Sequence, residues 1–165
     1  MKVKSLFIVA LLASLGLLSS CEKDEQEMEY VATYPASGTW AVTYNVETSP
    51  GQFEAITDPT TVSIYNTAAN TPDRIWIDDL VHFWDYKVNV PVDMTNLSFS
   101  GNELANESYE SEVTVADGKV ITGGSMVKGT ATDSIYFKVS FSDDGTAAKP
   151  DPYGTIYHVF GHRAF

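Results

Sequence analysis

From residue 37 onward the apolar side chains of this chain recur at every second position, a spacing that suits strands with one face on a core and the other in water. Trp40, Val42, Tyr44 and Val46 alternate with Thr43 and Asn45; Tyr86, Val88, Val90 and Val92 alternate with Lys87 and Asn89; Ile135, Phe137, Val139 and Phe141 alternate with Lys138 and Ser140. No stretch takes up the 3.6-residue period of a long amphipathic helix. Shorter candidates at 61–65, 74–78, 111–116, 119–128 and 154–163 bring the principal strands to eight. Asp117-Gly118 predicts a two-residue hairpin turn, since a type I′ turn requires positive φ, so 111–116 and 119–128 are expected to pair. Ser49-Pro50-Gly51, Asp58-Pro59, Thr71-Pro72-Asp73, Asp143-Asp144-Gly145 and Pro150-Asp151-Pro152 mark the other breaks. Short strands without helices between them predict an all-β antiparallel domain, closing as a barrel or packing as a sandwich.

The N-terminus carries a different pattern. Met1-Lys-Val-Lys4, an apolar run from Leu6 to Leu18 and the closing Leu18-Ser19-Ser20-Cys21 have the layout of a bacterial lipoprotein signal. A run of 13 residues is shorter than the roughly 20 that a spanning helix needs. Residues 1–20 are therefore expected to be a removed signal peptide, with Leu18, Ser19 and Ser20 as the recognition box and Cys21 as the lipidated N-terminus. Cys21 is the only cysteine; once acylated it leaves no thiol for a disulfide, a redox centre or a thiolate metal site. The stretch Cys21-Glu-Lys-Asp-Glu-Gln-Glu27 resembles the Lys-acid-acid export tag of surface lipoproteins in one phylum of Gram-negative anaerobes. That resemblance implies an outer-membrane, cell-surface location, and the same residues also read as a solvated acidic tether over 21–36. Residues 37–165 would then form one domain, long enough for a genuine apolar core.

Charge narrows the partners. The formal net charge is −12, and removal of Lys2 and Lys4 with the signal makes it more negative by two. Nucleic acid and anionic lipid head groups are poor matches for such a surface.

Gly38-Thr39-Trp40 opens the first strand and Arg163 stands near the end of the last. This pairing resembles the calycin superfamily, the lipocalins and their relatives, in which a Gly-x-Trp on the first strand packs beneath an arginine from the final one. The resemblance implies an up-and-down β-barrel of about eight strands, with Gly38, Trp40 and Arg163 as a structural clasp; an ordinary core tryptophan after a turn explains the tripeptide equally well. Together with the lipoprotein start, the segments Tyr34-Pro-Ala-Ser-Gly-Thr-Trp-Ala-Val42, Phe83-Trp-Asp-Tyr-Lys-Val88 and Gly161-His-Arg163 resemble the bacterial lipoproteins called lipid-binding putative hydrolases. That family implies a calycin-like barrel, a lipid ligand and a hydrolytic activity. It carries no catalytic residue over to particular positions here.

Site chemistry is sparse. His158 and His162 share a strand face, but at about 3.3 Å per residue their Cα atoms lie roughly 13 Å apart, too far for one ion, so no metal site and no cofactor are expected. Gly123-Gly124-Ser125-Met126-Val127 lacks the last glycine of a nucleophile elbow. A spatial triad drawn from His82, His158 or His162 with Asp78, Asp79 or Asp85 remains open, and catalytic residues stay unassigned. Asp78-Asp79 reads as a solvated turn or as a calcium ligand pair. Parity sends Trp84, Tyr86, Val88 and Val90 to one interior face, where Trp84, Tyr86, Val88 and Phe137 either line a ligand pocket or fill the barrel. Trp76 shares its parity with Arg74 and Asp78, which places it on the surface.

The leading expectation is a non-enzymatic lipoprotein, held at the outer membrane by its acyl anchor, whose barrel binds a small apolar or amphipathic ligand such as a lipid. The alternatives are a hydrolase of lipid or ester substrates, and a surface module that binds glycan or an outer-membrane protein through the aromatics near Trp76.

Overall fold

The computed structural model describes residues 30–145 and 154–164. Cys21, the recognition box Leu18-Ser19-Ser20, the acidic stretch after it and the Pro150-Asp151-Pro152 break lie outside the described residues.

The strands are β1 (Gly38–Ser49), β2 (Gln52–Ala55), β3 (Thr60–Asn66), β4 (Arg74–Asp78), β5 (Lys87–Asp93), β6 (Ser98–Ala105), β7 (Glu112–Val127), β8 (Thr130–Phe141) and β9 (Tyr157–Arg163). Sequential neighbours from β3 to β9 pair antiparallel, and β9 returns to β1, with Trp40 opposite Arg163 and Val46 opposite Tyr157. The result is a closed eight-stranded up-and-down barrel, all β as the alternation predicts, with β2 as an extra strand. β1 serves both: Gly38–Val42 pairs with β3, and beyond it Asn45–Ser49 pairs with β2.

Alternation becomes burial. Trp40, Val42 and Tyr44 of β1, Val88 and Val90 of β5, and Phe137, Val139 and Phe141 of β8 belong to one core cluster. Each large apolar side chain removed from water contributes about 1.5–3 kcal/mol. Arg74–Asp78 forms β4 with the expected limits, Ile75 and Ile77 inward.

Two expectations fail for local reasons, and β6 is a strand absent from the sequence-based expectation; 111–116 and 119–128 do not pair, being parts of one strand. Asp117-Gly118 is not a hairpin turn. It lies inside the continuous strand β7, where the register against β8 shifts between Ala116 and Lys119, so positive φ at Asp117 (54°) serves a bulge. The tight turn between β7 and β8 is Lys128-Gly129, whose φ values of 49° and 83° meet the two-residue requirement. β6 has no strand period because only Phe99 of its first half points inward, and its register against β7 shifts on both sides of Gly101. Trp84 is not on a strand: β5 begins at Lys87, and residues 79–86 form a loop gathered around one side chain. The Asp79 carboxylate, buried at the barrel end, accepts from the backbone N–H groups of Val81, Phe83, Trp84, Asp85 and Tyr86. Strand pairing cannot compete for amides already taken.

Both barrel ends are furnished. At one, residues 31–36 turn beneath Arg163 and bury Thr33 and Ala36. At the other, Phe83 stacks on Tyr44 at 4.1 Å and Trp84 stacks on Phe141 at 4.8 Å.

Candidate ligand-binding site

The barrel wall is weakest between β5 and β6. Only Val92 with Phe99 and Asp93 with Ser98 are paired there. Towards the other end the two strands are bridged through the loop after β6, where the Lys87 N–H donates to Asn106 Oδ1 and the Glu107 N–H donates to the Lys87 carbonyl. Pro91 has no N–H to offer a neighbour. The bulges in β6 and β7 loosen the adjoining wall.

An open pocket of about 590 Å³ occupies this place. Its accessible apolar part is Pro91 and Ala116, and the core residues Val92, Phe99 and Val115 stand behind them in the wall. Its polar part is made by Asp93, Ser98, Ser100, Asn102 and Asp117. Gly118 lets the walls close: a Cβ there would overlap the Phe99 ring and the Phe99 carbonyl oxygen. The sequence signal Asp117-Gly118 thus marks the edge of a pocket instead of a turn.

Electrostatically the lining is acceptor-rich. Asp93 accepts from the N–H of Thr95 at 2.8 Å and from Asn96 Nδ2 at 2.7 Å, and these hydrogen bonds, Asn96 foremost, hold its carboxyl below the usual range. Asp117 pairs with Lys138 at 2.7 Å, which raises the lysine pKa. Lys119 donates to the Asn96 carbonyl, and the Arg74 guanidinium is held by Asn89.

The residues assigned to an interior pocket stand elsewhere. Tyr86, Val88 and Phe137 are fully buried core members, and Trp84 caps the barrel end; none of the four lines the pocket between β5 and β7. The Tyr44 and Tyr86 hydroxyls meet at 3.0 Å within the core, and burial pushes both phenols up. Sequence reasoning missed Ser98, Ser100 and Asn102 because β6 shows no alternation, and Pro91 because it faces outward on β5.

Gly38, Trp40 and Arg163 come together. Arg163 Cζ lies 4.5 Å from the Trp40 ring centroid, while its guanidinium donates to the carbonyls of Ser37 and Pro35 and to Asp133 Oδ2. Trp76 is half-buried on the outer face, paired with Tyr65 of β3, with the Lys87 ammonium 5.5 Å over its ring.

The histidines are dispersed. His82 Nδ1 is 3.0 Å from the Thr61 carbonyl oxygen, His162 Nδ1 is 3.1 Å from the Arg163 carbonyl oxygen, and His158 Nδ1 is 2.9 Å from the Tyr136 hydroxyl. Among the described residues none of their imidazole rings hydrogen-bonds or ion-pairs with the carboxylates of Asp78, Asp79 or Asp85; the His82 backbone N–H donates to the Asp79 carbonyl, and the carboxylate nearest His158 is Glu47, at 4.0 Å. Asp78 accepts from the Leu80 N–H and the Tyr65 hydroxyl, and Asp79 holds the loop, so both are turn-building acids.

Compared with known proteins, residues 25–164 match the family model described as lipid-binding putative hydrolase. No curated protein matches the chain.

Proposed function

The chain belongs to the lipid-binding putative hydrolase family, and from that membership we propose that the pocket between β5 and β7 holds the chain of a lipid or similar amphiphile. The carrying observation is the pocket's mixed lining, apolar Pro91 and Ala116 beside the hydrogen-bonding side chains of Asp93, Ser98, Ser100, Asn102 and Asp117. Its volume of about 590 Å³ falls within the roughly 300–1,000 Å³ common for small-molecule sites. Each methylene placed against Pro91 and Ala116 gains up to about 0.8 kcal/mol on leaving water. The pocket lies on the wall where β5 and β6 pair at two residues, so the packed core around Tyr86 and Phe137 need not open.

The test is titration with 1-monolauroylglycerol, followed by native mass spectrometry. One ligand per chain is expected, and Ser100→Trp, which fills the pocket from an exposed position, abolishes it. Non-saturable uptake, or binding unchanged in that variant, would refute the reading.

The same proposal includes an acyl anchor at Cys21 that holds the barrel at the outer membrane, its outward placement supported by the acidic residues that follow. The layout of residues 1–21 supports it. Cys21→Ala is expected to move the protein from the membrane to the soluble fraction and to remove the acyl mass from its N-terminal peptide.

A further inference from the structure

Resting on the lipid-binding reading above, we propose that the pocket selects amphiphiles whose head group donates hydrogen bonds and carries no negative charge, a hydroxyl or an ammonium, over those ending in a carboxylate or phosphate.

Two carboxylates, Asp93 and Asp117, are part of the lining, and no lysine, arginine or histidine is. An ionised carboxylate only accepts, so it rewards a donor and repels an anion. Ser98, Ser100 and Asn102 can accept from or donate to the same head group. The cations around the pocket are already engaged: Lys138 on Asp117, Lys119 on the Asn96 carbonyl, Arg74 on Asn89. A phosphate or carboxylate would have to break one of those contacts to find a counter-charge. The turn amides and Asn96 keep Asp93 ionised at neutral pH. A hydroxyl or ammonium is accepted by the lone pairs that Asp93 and Asp117 keep beyond their contacts to the turn amides and to Lys138, while its alkyl chain lies on Pro91 and Ala116.

The experiment uses the full chain and four ligands with one twelve-carbon tail: 1-monolauroylglycerol, dodecylammonium, laurate and dodecyl phosphate, each below its micelle concentration, with affinity read by isothermal titration calorimetry. The glycerol and ammonium ligands are expected to bind about tenfold or more tightly than the two anions. Their relative order distinguishes a hydroxyl from an amine as the preferred donor. In Asp93→Asn/Asp117→Asn the anion penalty is expected to shrink towards equality; asparagine tolerates the positive φ at 117 and retains an acceptor at 93, so the fold is kept. Laurate binding as tightly as the glycerol ester, or a preference unchanged in the double variant, would overturn the head-group selection and leave lipid binding standing. Absence of binding by all four ligands would overturn both.

Discussion

The Arg163 guanidinium lies over the Trp40 indole, 4.5 Å from its centroid, and so joins the last strand of the barrel to the first. Trp40 and Arg163 are also cross-strand partners in the β1–β9 pairing that closes the wall. The contact therefore acts at the one seam whose two sides are the ends of the folded chain.

Removing the guanidinium loses the cation–π contact and leaves the carbonyls of Ser37 and Pro35 short of a donor. Arg163→Ala is expected to cost about 2–3 kcal/mol, read as a lower urea midpoint. At Gly38, φ is 148° and a Cβ would run into the Arg163 guanidinium. Gly38→Ala is expected to destabilise as well, and the double variant by less than the sum, because both changes remove the same contact.

Asp79 is 1 % exposed and accepts from five backbone amides. Asp79→Ala leaves those donors unmet and is expected to cost about 3 kcal/mol or more. Trp84, which depends on that loop for its stacking on Phe141, is expected to become more solvent-exposed, seen as a red shift in tryptophan emission.

His158 lies on the outer face under Phe53, ring centroids 4.7 Å apart. Burial lowers its pKa below the ordinary histidine value, with nearby Lys138 adding to the effect. The unfolded chain therefore binds the proton more readily than the folded one. Its contribution to stability is full above about pH 6.5 and is lost as pH falls from there through the folded-state value. A Tm series from pH 7.5 to 5 is expected to decline, and the decline is expected to be shallower in His158→Gln.

Gly118 has no room for a side chain, and one of the obstacles is the Phe99 backbone oxygen, which cannot swing aside. Gly118→Ala is expected to lower stability by about 1–3 kcal/mol and to weaken amphiphile binding by displacing Phe99. Tight binding retained with a normal melting temperature would show that this close approach does not shape the pocket.

Legibility followed locality. The sidedness of β1, β4, β5 and β8 was visible in the sequence because side chains on a strand alternate by geometry. Trp76 lies on the outer face of β4 by the same alternation, half-buried. Trp84 departs from it: its parity with Tyr86 continues past the point where Asp79 takes the backbone amides and ends the strand. Asp117-Gly118 was visible as a positive-φ signal, but a hairpin and a bulge make the same local demand. The partner strand decides between them, and here β8 continues past both residues.

By itself the sequence determined the class of the fold, since an apolar period of two over short segments can be buried only by sheets with one face on a core, and it held the residues by which the barrel's first and last strands meet. The tertiary structure alone decided where the pocket lies. Val92, Ser100, Val115 and Asp117 belong to three strands, and what brings them together is the failure of β5 and β6 to pair beyond two residues, a property of register between distant segments that no single stretch of sequence encodes.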